Sequence, residues 1–129
     1  MANQVSDIKV GIIGAGTMGE AFIAALIRSG IAPTSISVVV RRPERGAELA
    51  KRYSIAIEPL AQSLSTSDVV ILGIKPQGLA ELLPQVAPHI KPDSLVISLL
   101  AGKTISAIAT GLSGHKAIAR VMPNTPTLI

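Results

Sequence analysis

The residues best placed to do chemistry form a G-x-G-x-x-G motif at positions 14–19, directly after the apolar segment 8–13. In such a motif Gly14 makes the tight turn, Gly16 lets the backbone approach a pyrophosphate, and Gly19 lets the following helix pack close to the strand. The helix N-terminus then offers free N–H groups to phosphate oxygens. The context predicts a dinucleotide-binding turn, and a purely structural glycine turn is the alternative.

Two arginines follow the second predicted strand, residues 35–40. A site that prefers NAD usually carries an acid about 20 residues beyond the glycine motif, where it binds the ribose 2′-hydroxyl. Here Arg41 and Arg42 occupy that place, and the first acid after them is Glu44. Because a guanidinium pairs well with a phosphate, the sequence predicts NADP(H) in preference to NAD(H). The alternative is that both arginines are solvated, or pair with Glu44 and Glu48.

Unusual residues also follow three later apolar runs. Lys75-Pro76 follows segment 69–74, Ala101-Gly102-Lys103 follows 95–100, and Pro123-Asn124-Thr125-Pro126 follows 117–122. Parallel strands bring their carboxyl ends to one rim, so these residues are expected to converge there. The alternatives are a solvated Lys75 and a simple turn at Gly102.

The elements that must position these residues alternate regularly along the chain. Six predicted strands (8–13, 35–40, 55–57, 69–74, 95–100 and 117–122) are separated by helical patterns. Pro76 begins one helix that Pro84 and Pro88 limit, and Thr104 caps another that runs to Leu112. Alternating apolar strands and helices predict an α/β fold with a doubly wound parallel sheet (a Rossmann fold) and strand order 3-2-1-4-5-6.

Composition excludes several other classes. The 129 residues suit one domain, and 48% hydrophobic with 16% charged residues argue against disorder. No apolar run approaches the ~18 residues that span a bilayer, and the absence of cysteine fits the cytoplasm. The net charge of +4 is scattered and Phe22 and Tyr53 are the only aromatics, which argues against nucleic acid. His89 and His115 are too isolated to predict a metal site.

Four segments together resemble the pyrroline-5-carboxylate reductases: residues 12–19, 74–77, 98–105 and 121–126. The glycine motif is shared by many dehydrogenases, whereas Lys75-Pro76-Gln77 with Met122-Pro123-Asn124-Thr125-Pro126 is far more specific. The resemblance implies reduction of 1-pyrroline-5-carboxylate to L-proline with NAD(P)H, by hydride transfer from the nicotinamide to the imine carbon. Leu100 stands where many members carry Ala, and Ala61 where some carry an adenine-side Asn.

The resemblance also implies which residues bind the cofactor: the pyrophosphate at the glycine turn, the adenosine ribose after the second strand, and the nicotinamide half at the later strand ends. The implied set is Gly14, Gly16, Thr17, Met18, Arg41, Arg42, Gly73, Lys75, Pro76, Leu100, Ala101, Gly102 and Asn124. No catalytic proton donor is identified.

The family carries a second, helical domain that forms the homodimer and supplies a substrate loop. The expectation is therefore that residues 1–129 are the cofactor-binding half of the enzyme and are inactive alone. Two alternatives remain: an NADP-linked oxidoreductase of the β-hydroxyacid dehydrogenase type, and a dinucleotide-binding module without catalysis.

Overall fold

The computed structural model describes residues 8–100 and 102–121. Its strands are β1 Val10–Ile13, β2 Ile36–Val39, β3 Ala56–Ile57, β4 Val69–Leu72, β5 Leu95–Ser98 and β6 Ile118–Arg120. Its helices are α1 Thr17–Arg28, α2 Pro43–Tyr53, α3 Leu60–Thr66, α4 Leu79–Val86 and α5 Ile105–Gly111, with short 3-10 helices at Pro33–Ser35 and Pro76–Gly78. No helix within these residues is long and apolar enough to cross a membrane.

The six strands form one parallel sheet with the order β3-β2-β1-β4-β5-β6. This arrangement confirms the predicted Rossmann fold. Val10 of β1 pairs with Ile36 of β2 on one side and with Val69 of β4 on the other. The strand order therefore reverses beside β1, and in such sheets ligands bind outside the carboxyl ends of the strands at that reversal.

Both faces of the sheet are covered, which explains the unbroken apolar runs of its strands. Successive strand residues point to opposite faces. Ile12 and Ile71 belong to the core beneath α1 and α2, whereas Ile13 and Leu72 belong to the core beneath α3, α4 and α5.

The strands are shorter than predicted, and the predicted end of α4 was wrong. Strand β4 ends at Leu72 rather than at Ile74, and Pro84 lies inside α4 rather than at its end. Pro84 has no N–H to donate to the Ala80 carbonyl, and both residues lie on the exposed face of the helix. The buried side chains of Leu79, Leu83 and Val86 hold the remaining turns against the sheet.

The predicted cap of α5 is confirmed. The hydroxyl of Thr104 accepts a hydrogen bond from the Ala107 N–H at 3.0 Å. Beyond the other end of the helix, Gly114 has φ +87° and donates its N–H to the Ala109 carbonyl at 2.7 Å. That conformation suits glycine, which has no Cβ to clash.

A chain of buried serines lies beneath α3; we call Ser37, Ser63, Ser67 and Ser94 the serine chain. The hydroxyls of Ser37 and Ser63 lie 2.7 Å apart, and the Ser67 hydroxyl donates to the Ser63 carbonyl at 2.6 Å. The Ser94 hydroxyl donates to the Ser67 carbonyl at 2.7 Å. Each of these buried hydroxyls thus has a partner, as burial of polar groups requires.

Candidate functional site

A groove of about 1580 Å³ opens at the carboxyl ends of β1, β2 and β4, beside the reversal of strand order. Its lining combines the glycine turn after β1, residues 39–42 around the end of β2, and residues 73–75 after β4. Side chains of α1, α2 and α4 form the walls. The groove exceeds the roughly 300–1,000 Å³ of a drug-sized ligand pocket, so it can hold an extended ligand.

Two glycines of the turn are required by the fold. Gly14 has φ +82°, and a Cβ there would lie 2.7 Å from Ile74 Cγ2. A Cβ at Gly19 would lie 2.9 Å from the Gly14 carbonyl oxygen, so α1 packs directly against the turn. These close approaches bring β1, β4 and α1 together at the base of the groove.

Gly16 differs because, its two chain neighbours aside, no atom of the described residues lies within 4 Å of the position its Cβ would take. It is exposed and lies at the N-cap of α1, where no side chain caps the helix. The first N–H groups of a helix have no partners within it. The open space at Gly16 and the uncapped start of α1 together form a surface that fits a phosphate group.

The two arginines after β2 line the groove and are exposed. Arg42 Nε lies 4.0 Å from Glu44 Oε1, with both side chains more than 70% exposed (76% and 72%). Among the described residues, no ion pair joins Arg41 or Lys75, which also lines the groove, to an acid. Glu48, the other acid considered as their partner, pairs instead with Arg45 and Arg52.

Sequence reasoning missed a polar network between α1 and α2 that forms one wall of the groove. Glu20 of α1 accepts hydrogen bonds from Arg45 at 2.8 Å, from the Tyr53 hydroxyl at 2.6 Å, and from Arg52. Arg45 also donates to Glu48 and, through Nε, to the Ala15 carbonyl at 2.9 Å. The i, i+3, i+7 spacing of Arg45, Glu48 and Arg52 on one helix face was the available signal.

The network holds Glu20 ionised. Hydrogen bonds from Tyr53 and Arg52, with a further one from Arg45, lower the pKa of Glu20 to about 2. The Glu20 carboxylate in turn raises the pKa of Arg45 and the pKa of Tyr53. Glu20 is therefore ionised at neutral pH, and Arg45 and Arg52 offset its negative charge.

The structure brings most, but not all, of the predicted cofactor residues to the groove. Those that line it are Gly14, Gly16, Thr17, Arg41, Arg42, Gly73 and Lys75. Met18, Pro76, Leu100 and Gly102 do not line it. The Leu100 side chain is buried in the core, and Gly102 is exposed in a turn with φ +75°. Ala101 and Asn124 lie outside the described residues, as does the Met122–Pro126 motif.

The parallel sheet, the glycine turn at its switch point and the uncapped helix behind it define a Rossmann domain of the dinucleotide-binding type. Residues 9–102 match the family described as "NADP oxidoreductase coenzyme F420-dependent", and the chain belongs to that family.

The similarity to pyrroline-5-carboxylate reductases extends along nearly the whole chain. The enzyme of Escherichia coli is 35% identical over 123 residues, which are 94% of this chain and 46% of that protein. Pyrroline-5-carboxylate reductase 2 of Bacillus subtilis is 40% identical over 124 residues, covering 94% of this chain and 44% of that protein. The solved reductase of Coxiella burnetii superposes with a TM-score of 0.85 at 28% identity, over 92% of this chain and 45% of that one.

These matches confirm the resemblance drawn from the four sequence segments. The chain spans a little less than half the length of the relatives it matches.

Proposed function

We propose that this chain is the N-terminal, cofactor-binding half of a pyrroline-5-carboxylate reductase, which reduces 1-pyrroline-5-carboxylate to L-proline. The observation that carries the reaction is the similarity to enzymes of that name over 94% of the chain. The groove supports it physically, because a glycine turn, an uncapped helix and the exposed cations Arg41, Arg42 and Lys75 meet at the switch point of the sheet.

We propose NADPH as the preferred cofactor, because the groove offers cations where an NAD site usually offers an acid. Arg41 and Arg42 would hold the 2′-phosphate, and the turn from Gly14 to Thr17 would hold the pyrophosphate. Gly73 and Lys75, after β4, would flank the nicotinamide half. Pro76, Leu100, Ala101, Gly102 and Asn124 remain proposed contacts of that half through the resemblance alone. Met18 remains a proposed contact of the pyrophosphate on the same ground.

Bound NADPH supplies the hydride, and the residues of this chain bind and orient it. Orientation is a large part of catalysis, since a properly held reactant has an effective concentration of roughly 10⁵ M or more. We propose that the residues that bind the substrate, and those that join subunits into a homodimer or larger assembly, belong to the part of these enzymes that this chain does not match. On this proposal the 129 residues bind NADPH but form little or no proline.

The cofactor proposal is tested by the double variant Arg41→Ala/Arg42→Ala. We expect its Kd for NADPH to rise about 10- to 100-fold, the range for losing charge-assisted hydrogen bonds, with little change for NADH. The matched control is Arg28→Ala/Lys51→Ala, which removes two exposed positive charges outside the groove. Equal weakening of NADPH and NADH by the first variant would contradict the assignment of the arginines to the 2′-phosphate.

The reaction itself is tested with the protein that carries this chain. NADPH oxidation should depend on added 1-pyrroline-5-carboxylate, and L-proline should be formed in equal amount. Oxidation of NADPH with β-keto acids but not with the cyclic imine would contradict the proposed substrate, and would favour an enzyme of the β-hydroxyacid dehydrogenase type.

A further inference from the structure

Arg45, in the first turn of α2, reaches across to the glycine turn. Its Nε donates to the Ala15 carbonyl at 2.9 Å, and its two terminal nitrogens are held by Glu20 at 2.8 Å and by Glu48. The side chain is only 20% exposed. Every nitrogen of the guanidinium therefore has a partner, and its planar fork fixes the direction of all three hydrogen bonds.

The hydrogen bond to Ala15 controls a peptide group that faces the groove. The Ala15 carbonyl and the Gly16 N–H belong to the same peptide, which is trans. A planar trans peptide directs its C=O and N–H to opposite sides, so fixing the carbonyl also fixes the N–H. Gly16 needs such a restraint, because glycine adopts a wide range of backbone angles.

Arg45 differs from Arg41 and Arg42 in its ion pairs. Glu20 and Glu48 offset its charge, whereas Arg41 has no ion pair among the described residues. Arg45 also bonds to the turn that faces the pyrophosphate, a group that NADH and NADPH share. Its contribution should therefore be the same for both cofactors.

We infer that Arg45 is a positioning residue that holds the Ala15–Gly16 peptide in the orientation needed to bind the pyrophosphate of either dinucleotide. The inference rests on the proposed function, since it assigns the turn to the pyrophosphate. Arg45 acts through the peptide group and does not touch the reacting atoms.

The test compares Arg45→Met with Arg52→Met in the 129-residue chain, by titration with NADPH and with NADH. Both variants remove a hydrogen bond to Glu20 and an ion pair to Glu48, but only Arg45 contacts the Ala15 carbonyl. For Arg45→Met we expect both dissociation constants to rise about tenfold, with their ratio unchanged. For Arg52→Met we expect both to stay within about twofold of the original chain.

A second readout follows the peptide directly. The Gly16 amide signal in a nitrogen–proton NMR spectrum should shift, and its hydrogen exchange should accelerate, in Arg45→Met but not in Arg52→Met. Arg45→Lys, which keeps the charge beside Glu20 but lacks the fork, guards against loss of folding. It should show the same equal weakening of both cofactors, and its thermal unfolding curve should show that it is folded.

The possible failures are distinguishable. If the original chain binds neither dinucleotide, the proposed function fails and this inference falls with it. If the original chain binds both and Arg45→Met binds them as tightly, only the inference is overturned. If Arg45→Met weakens NADPH more than NADH, Arg45 is a 2′-phosphate ligand. If Arg52→Met weakens binding as much as Arg45→Met does, Arg45 only supports the packing of α1 on α2. Either result overturns the positioning role.

Discussion

At the amino ends of the strands polar groups bind one another, whereas at the carboxyl ends two cations, Arg41 and Lys75, have no ion-pair partner among the described residues. Asp68, just before β4, accepts from the Lys9 N–H at 3.0 Å and from Lys91 Nζ at 2.7 Å. Ser94, just before β5, donates through its hydroxyl to Ser67, and its carbonyl lies 2.6 Å from His115 Nε2. Across the sheet, Arg41 and Lys75 lie exposed in the groove.

The difference shows where the molecule has polar capacity left for a ligand. Paired polar groups stabilise the fold and leave little free hydrogen-bonding capacity. Exposed cations beside an uncapped helix remain available to an anion. Changes to paired groups should therefore alter stability more than binding, and changes to the exposed cations Arg41 and Lys75 should alter binding more than stability.

The largest loss of stability is expected for Gly11→Ala, because Gly11 packs against the serine chain. A Cβ at Gly11 would lie 2.5 Å from the Ser67 hydroxyl and 2.6 Å from the Ser63 hydroxyl, and would force the serine chain apart. We expect the free energy of unfolding to fall by about 2–3 kcal/mol, measured by urea denaturation. The control is Gly78→Ala, whose nearest contact is an ordinary 3.5 Å; similar losses in the two variants would contradict the prediction.

The next effect is a pH dependence that belongs to Glu20, the groove carboxylate that accepts hydrogen bonds from Arg45, Arg52 and Tyr53. Because the pKa of Glu20 is lowered from 4.5 to about 2, its stabilising contribution is complete above pH 4.5 and is lost as the pH falls toward 2. Glu20→Gln should lower the free energy of unfolding by about 1–3 kcal/mol at neutral pH. Denaturation curves between pH 2 and 7 should show this difference shrinking in acid, and a difference independent of pH would refute the assignment.

A smaller effect on the fold, but a clear one on binding, is expected for Gly16→Ala. Apart from its chain neighbours, the new Cβ meets no atom of the described part of the chain within 4 Å, so stability should change by less than about 1 kcal/mol. The same methyl group would occupy space proposed for the pyrophosphate, and should weaken NADPH about tenfold or more. Calorimetric titration and thermal unfolding of one sample measure both quantities, and unchanged affinity would remove the pyrophosphate from this turn.

The smallest effect concerns Ser54, which ends α2 in the left-handed conformation with φ 61° and ψ 30°. Glycine adopts this conformation without the cost that a Cβ adds. Ser54→Gly should therefore raise the free energy of unfolding by about 0.5–1 kcal/mol and leave dinucleotide affinity unchanged. Lower thermal stability of the variant would show that Ser54 contributes contacts that outweigh its backbone strain.

The sheet and its glycine turn could be predicted because their signals are local. Strands buried on both faces read as apolar runs, and each predicted strand contains the strand observed within it. The position of Arg41 and Arg42 in the groove could be predicted as well, because they follow β2 and the carboxyl ends of parallel strands meet at one rim.

The wall of the groove could not be predicted in the same way. Glu20 meets Arg45, Arg52 and Tyr53 only because α1 and α2 pack side by side, and no spacing along the chain joins position 20 to those residues. The sequence allowed Glu48 as a partner for Arg41 and Arg42, but its carboxylate pairs with Arg45 and Arg52 on its own helix. Ion pairs of this kind depend on helix orientation, which tertiary packing sets.

The pairing of β1 with β4 also determines the order in which the molecule can be assembled. Val10 pairs with Val69, so β1 must wait for α2, β3 and α3, as well as α1 and β2, before its second neighbour exists. Such distant pairing is slow because the loop must close before the contact is gained. During synthesis, the residues after β1 and β2 emerge first, and those after β4 complete the groove only later. A dinucleotide can then bind only the finished sheet, so its concentration would shift the balance between folded and unfolded chains toward the folded one.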